Sequence, residues 1–231
     1  MARPIDNVML LGIGLYSVPQ AARLAGAPTK SVRRWLFGYR YKNQGIEVAR
    51  PPVVQTELPD QIVTFRDLIE LQFVNSFRAH GVSWDTIRKA ADSAREITGS
   101  DHPFASRSFV TDGETIFAEV TNSVKRKELL DLKRNQMAFR KLLLPSLRAR
   151  LDVGSHGAQR WWPLGKRRDV VIDPNRQLGQ PITNKTGVPT AALAQAYKTT
   201  GSYQTAAQWF EVSPAAVRSA VSFERQFADA A

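Results

Sequence analysis

Lys30, Ser31, Arg33 and Arg34 fall within five residues, and Arg40, Tyr41 and Lys42 follow shortly after. A guanidinium group can grip a phosphate or the acceptor edge of guanine through two parallel hydrogen bonds, and lysine supplies a point charge. Cations carried on one side of a short helix, followed by alternating aromatic and basic residues, suit a DNA duplex. In this reading Lys30, Ser31, Arg33 and Arg34 face the major groove. Arg40, Tyr41 and Lys42 meet the phosphates beside it, contacts that fix register without reading bases.

Two helices and a tight turn must hold that face outward. The segment from Tyr16 to Tyr39, YSVPQAARLAGAPTKSVRRWLFGY, predicts them. Ser17 caps the first helix and Gln20 reaches back to complete a capping box. Pro19 sits in the first turn, where its missing N–H costs little. Ala21, Ala22, Leu24 and Ala25 make a small apolar face, and Gly26 takes the left-handed conformation that ends a helix. Thr29 is expected to cap the second helix, in which Val32, Trp35 and Leu36 point inward. Gly38 closes it. Tyr39 to Gly45 then reads as a β-hairpin wing. The competing reading is an ordinary helical hairpin with a solvated basic face.

The 231 residues are 43% hydrophobic and 23% charged, a globular composition with room for two modest cores. The net charge of +11 is uneven. Residues 23–50 hold seven Lys/Arg against one acid, and residues 125–168 hold thirteen against three. Residues 51–98 are slightly acidic and residues 170–231 nearly neutral. Two basic stretches point to a polyanionic partner, and DNA fits better than a membrane surface because no basic amphipathic helix with a large apolar face stands out. With no cysteine there is no disulfide, thiol catalysis or zinc finger, and a reducing cytoplasm is the expected compartment. The apolar run from Val8 to Leu15 is too short to span a bilayer. Read as a signal peptide it would place cleavage within the helix-turn-helix, so that reading is rejected.

Three domains are expected: 1–99, 100–169 and 170–231. In the first, Thr64 caps a helix with Phe65, Leu68, Ile69, Leu71, Phe73, Val74 and Phe77 on a strongly apolar face. Either a dimer contact or burial in one core accounts for it. Gly81 stops this helix, and Ser83 caps another that runs to Gly99. The middle is a small α+β module. Phe109 to Ala118 reads as a hairpin around Asp112-Gly113, Glu128 to Leu132 as a third strand, and Asn135 to Arg150 as a helix up to Pro145. Arg160 to Leu164 and Asp169 to Ile172 are further strands. The basic runs 125–127 and 166–168 either touch flanking DNA or keep the surface soluble. Trp161 and Trp162 are read as core.

The last sixty residues predict three helices, opened by Pro189-Thr190, Ser202 and Ser213-Pro214. Phe210 to Ser213 is again a tight turn of helix-turn-helix type. Its last helix carries Arg218 and Arg225 but also Glu224, which offsets them. This unit is therefore read first as a protein-contact or dimer module and second as another DNA reader.

Catalysis has little support. His80, His102 and His156 are scattered at helix ends or turns, and no HExxH, Walker loop or GxSxG occurs. Asp67 and Glu70, one helical turn apart, are expected to play a solvated capping role at the helix start rather than to hold a metal. No cofactor or metal is implied.

The run from Gly14 through Ala21-Ala22-Arg23-Leu24 and Val32-Arg33-Arg34-Trp35-Leu36 to Gly38-Tyr39 resembles the N-terminal domain of a group of VapB-type antitoxins. The continuation, Phe65 onward with Gly81-Val82-Ser83 and Ile87-Arg88, is similar to a MerR-like winged helix-turn-helix. Val171-Ile172-Asp173-Pro174, Leu178-Gly179-Gln180-Pro181 and Gly187-Val188-Pro189-Thr190 resemble the small trihelical domain such antitoxins carry. The resemblance implies a mainly α protein with a small α+β middle. It also implies a type II toxin–antitoxin module. Such an antitoxin binds a VapC-type toxin, a PIN-domain ribonuclease, and represses its own promoter on double-stranded DNA, usually as a homodimer. The simplest VapB pattern has a disordered toxin-wrapping tail; here the tail reads as folded, with 228–231 as a free end. The alternative is a free-standing MerR-like regulator whose middle module senses a small molecule. An RNA-binding or structural scaffold fits less well, because the wing and caps suit duplex DNA.

Overall fold

The computed structural model describes residues 12–56, 58, 61–109 and 149–228. The expected hairpin from Phe109 to Ala118, the third strand, the helix to Pro145 and the 125–127 basic run lie largely or wholly outside the described residues.

Strand β1 (Tyr16–Ser17) leads into helix α1 (Val18–Ala25), and α2 (Thr29–Phe37) follows after a turn. The wing strands are β2 (Tyr39–Asn43) and β3 (Ile46–Arg50). A short strand β4 (Ile62–Val63) opens α3 (Phe65–Ala79), followed by α4 (Trp84–Thr98). β1 and β4 pair antiparallel, Tyr16 opposite Val63, so the entries of α1 and α3 are tied together.

Local chemistry accounts for these boundaries. The Ser17–Gln20 capping box forms as expected, and Gly26 ends α1 at φ 66°. A second box, Thr64 with Asp67, starts α3. Ser83 accepts from the Thr86 N–H at the start of α4, and Gly99 ends that helix in the left-handed region. Thr29 differs from expectation. Pro28 is the N-cap, Thr29 is already helical, and no side chain caps α2. A proline at the cap places the chain in extended geometry without a side-chain acceptor, so the hydroxyl one residue later is inside the first turn.

The acidic pair also differs. Asp67 and Glu70 are buried rather than solvated. The loop after α4 folds back over them: Glu70 Oε1 accepts the Ala105 N–H at 2.9 Å, and His102 Nε2 lies 2.7 Å from Asp67 Oδ1. Burial raises the Glu70 carboxyl to about 7, opposed by His102, the backbone donors of Ala105 and Phe104, and Arg95. The same loop brings Phe104 and Phe109 onto Phe73, with ring centroids 5.3 Å apart in each pair.

The later residues form a four-stranded antiparallel sheet in chain order: β5 (Leu151–Gly154), β6 (Gly157–Trp161), β7 (Val171–Ile172) and β8 (Pro181–Ile182). β5 begins just beyond the segment expected to be helical, at residues for which the sequence offered no element. Helices α5 (Thr190–Thr200), α6 (Tyr203–Trp209) and α7 (Pro214–Ala228) pack on one another and close the described chain. Trp161 and Trp162 are buried, as expected; the Trp162 indole N–H donates to Asp152 at 2.9 Å.

One hydrophobic core runs from α1–α4 through Trp161 and Ile172 to Phe223 and Phe227 of α7. Polar bonds reinforce that span. The Tyr16 hydroxyl donates to the Gly179 carbonyl at 2.7 Å, the Leu15 N–H to Leu178 O at 2.9 Å, and Arg23 to Glu224 at 2.9 Å. Burial pushes the Tyr16 phenol upward from its ordinary range, with Asp173 adding to the effect. No helix among the described residues is long and apolar enough to cross a membrane.

Candidate nucleic-acid interface

The α1–α2 unit is held by small residues. Ala21, Ala22 and Ala25 are buried and let α2 approach closely, while Val32, Trp35 and Leu36 fill the space beneath α2. The turn is closed by the Ala27 N–H donating to Ala22 O at 3.0 Å. Packing α2 through those three residues leaves Lys30, Arg33 and Arg34 exposed and Ser31 half-buried at the rim. No acidic residue lies within α2.

The wing follows at a fixed angle. Gly38 has φ 70°, and a Cβ there would sit 2.5 Å from the Arg50 carbonyl oxygen, so the two wing strands meet over a residue that must lack a side chain. Strands β2 and β3 pair from Tyr39–Arg50 to Asn43–Ile46. Gln44 and Gly45 both have positive φ, the geometry of a two-residue type I′ hairpin. After the wing, Val53 and Val54 donate their N–H groups to Trp35 O at 2.8 and 3.1 Å. This carbonyl pins the returning chain to the end of α2.

Every residue expected to touch DNA therefore lies on α2 or β2. Arg40, Tyr41 and Lys42 are exposed, and Arg40 is 3.7 Å from Glu47 across the wing, with both side chains largely solvated. Such a pair contributes little and yields readily to a phosphate. Arg34 lies over the Tyr39 ring, 5.0 Å from its centroid, and Tyr39 neighbours Tyr41 at 5.9 Å. Stacking orders the guanidinium while leaving its donors available. The Arg33 guanidinium donates to the Gln61 side chain. Tyr39 and Gln61 were not among the expected site residues. Tyr39 could have been found as the first aromatic beyond the helix-closing glycine; Gln61 lies too far along the chain for spacing to reveal it.

Residues 14–91 match the family model described as "Putative DNA-binding HTH domain". That span holds both helices, the wing and the α3–α4 pair through Ala91. The chain is a distant homologue of a Mycobacterium tuberculosis protein named "Putative antitoxin VapB45", 24% identical over 236 residues that cover 96% of this chain and 98% of that one. The fold is also that of the X-ray crystal structure of Rv2018 from Mycobacterium tuberculosis, with a TM-score of 0.71 and 22% identity over 91% of this chain and 99% of that one. The comparisons thus give the chain an N-terminal helix-turn-helix domain of the kind described as putatively DNA-binding, and a distant homologue named as a putative antitoxin.

Proposed function

We propose that the protein is an autoregulating antitoxin: it binds double-stranded DNA at its own promoter through α2 and neutralises a VapC-type PIN-domain ribonuclease by protein contact. One observation carries the DNA half. The outward side of α2 presents Lys30, Arg33 and Arg34 with no acid on the helix, next to a wing that presents Arg40, Tyr41 and Lys42. In this reading α2 enters the major groove, Arg33 and Arg34 reach base edges or phosphates, and the wing lies along the backbone as in MerR-like proteins. The toxin half is supported by the distant antitoxin homologue alone. A homodimer suits this mode, because two-fold related recognition helices read two half-sites about one helical turn apart. The function needs binding surfaces and no reacting group.

The test has two arms. Gel shifts with DNA from upstream of the protein's own reading frame should show specific binding that Arg33→Ala and Arg34→Ala weaken. A pull-down of the full chain from its native host should recover a PIN-domain protein whose ribonuclease activity the purified chain suppresses. Specific DNA binding with no such partner would favour a free-standing regulator. Unchanged affinity in both arginine variants would remove α2 from the interface.

A further inference from the structure

The α6–α7 unit repeats the α1–α2 unit residue for residue, with numbers 185 higher. Ser202 caps α6 as Ser17 caps α1, accepting the N–H three residues on. Ala206 and Ala207 are buried where Ala21 and Ala22 are buried. Glu211 takes positive φ (53°) at the place of Gly26 (66°). The Val212 N–H donates to Ala207 O at 3.0 Å, as Ala27 does to Ala22. α7 begins at Pro214 as α2 begins at Thr29, and Val217 and Val221 are buried where Val32 and Leu36 are. Arg218 then stands at the place of Arg33, exposed.

A shared turn is not enough by itself. α3–α4 also closes through a Val82 N–H bond to Phe77 O, and Arg88 stands at the matching place there. Arg88, however, is half-buried and donates to the Pro51 carbonyl at 3.3 Å, besides lying over the Trp84 ring 5.9 Å from its centroid. Arg218 also lies over an aromatic ring, that of Tyr203 at 5.7 Å, but it is exposed.

The charge on α7 also differs from what its sequence suggests. Glu224 does not oppose Arg218 and Arg225 on the outer side. Its carboxylate receives the Arg23 guanidinium at 2.9 Å and the Thr190 hydroxyl, and is largely covered. The exposed stripe of α7 is Ala215, Arg218, Ser222 and Arg225, with two cations and no acid, and small residues that permit close approach.

From this congruence we infer a second duplex-DNA contact on α7, with Arg218 at its centre. It rests on the reading of α2 as a DNA helix. α1 packs on α7 in one core, tied by Arg23–Glu224. The two DNA-facing helices are therefore rigidly spaced, and one chain covers two separated segments of duplex.

Hydroxyl-radical footprinting of the full chain on DNA from upstream of its reading frame tests this, with parent, Arg33→Ala, Arg218→Ala and Ala215→Glu. Arg218→Ala and Ala215→Glu should each erase one flank of the protected region and keep the remainder. Affinity should fall roughly tenfold, and Arg218→Ala should flatten the salt dependence by about one unit of slope. Arg218→Lys should restore most of that slope, which a variant that merely loosened α7 would not. Thermal melts matching the parent confirm that both variants fold. A full footprint and unchanged slope in both α7 variants, while Arg33→Ala loses binding, overturns the inference and leaves α2 intact. Weakened binding of a protein partner with unchanged DNA protection also overturns it, in favour of a protein-contact surface. Full binding by Arg33→Ala is a failure of the α2 reading instead.

Discussion

His102 Nε2 lies 2.7 Å from Asp67 Oδ1, with both side chains closed to solvent, and Glu70 is buried one turn further along the same helix. Asp67 thus has two duties: it caps α3 through the Thr64 N–H and anchors the loop after α4 through His102. Glu70 anchors the same loop through Ala105.

Glu70 makes stability depend on pH. The folded chain holds its proton up to about pH 7, whereas an unfolded chain releases it near the ordinary 4.5. Between those values the folded state binds more protons, so stability is full below 4.5 and falls as pH rises through 7. The loss amounts to on the order of 3–4 kcal/mol. Glu70→Gln keeps an acceptor for Ala105 and removes the charge. It should flatten the decline and melt above the parent at alkaline pH, as thermal melts on both sides of neutrality would show. A parent whose melting temperature does not drop across that window would rule this out.

Trp35 is 6% exposed and packs 5.5 Å from Trp84, so it is a structural residue although its neighbours on α2 face outward. Trp35→Ala should cost about 3–5 kcal/mol. Denaturant unfolding checks this, and a parent-like midpoint would place the indole outside the core.

Arg33→Ala and Arg34→Ala should separate by their consequences. A base-reading arginine costs roughly 1–3 kcal/mol and relaxes preference at one position, whereas a phosphate contact weakens all sequences evenly. Binding to a panel of singly substituted duplexes distinguishes the two, and its outcome assigns each guanidinium.

Gly38→Ala should disorganise the wing. A methyl group would meet the Arg50 carbonyl at 2.5 Å in a backbone conformation that side chains disfavour. Stability should fall by about 1–3 kcal/mol, with loss of the non-specific, wing-borne part of DNA affinity. Parent-like salt dependence in a folded variant would show that the wing does not touch phosphates.

The parts of this architecture that were legible in the chain are those written locally. Ser17 and Gln20 stand three apart, Gly26 follows an alanine-rich helix, and Val32, Trp35 and Leu36 keep one period, so α1, α2 and their outward cations followed directly. What was missed depends on distant partners. Nothing near Asp67 or Glu70 announces that a loop thirty-five residues later covers them. Glu224 looked like a counter-charge on α7 because its partner, Arg23, lies 201 positions away. The strand Leu151–Gly154 owes its state to pairing with β6, not to its own residues.

The tie from Tyr16 to Gly179, and the shared interior of α1 with Phe223 and Phe227, also sets an order of events during synthesis. Contacts between ends so far apart form late, after the intervening chain exists. While the ribosome is still at work, α1 can rest on α2 and α3 but lacks its contact with the last helix. A message cut short would therefore yield a polypeptide with the Phe223 and Phe227 part of that interior missing, more open to proteases than the chain carried through residue 227.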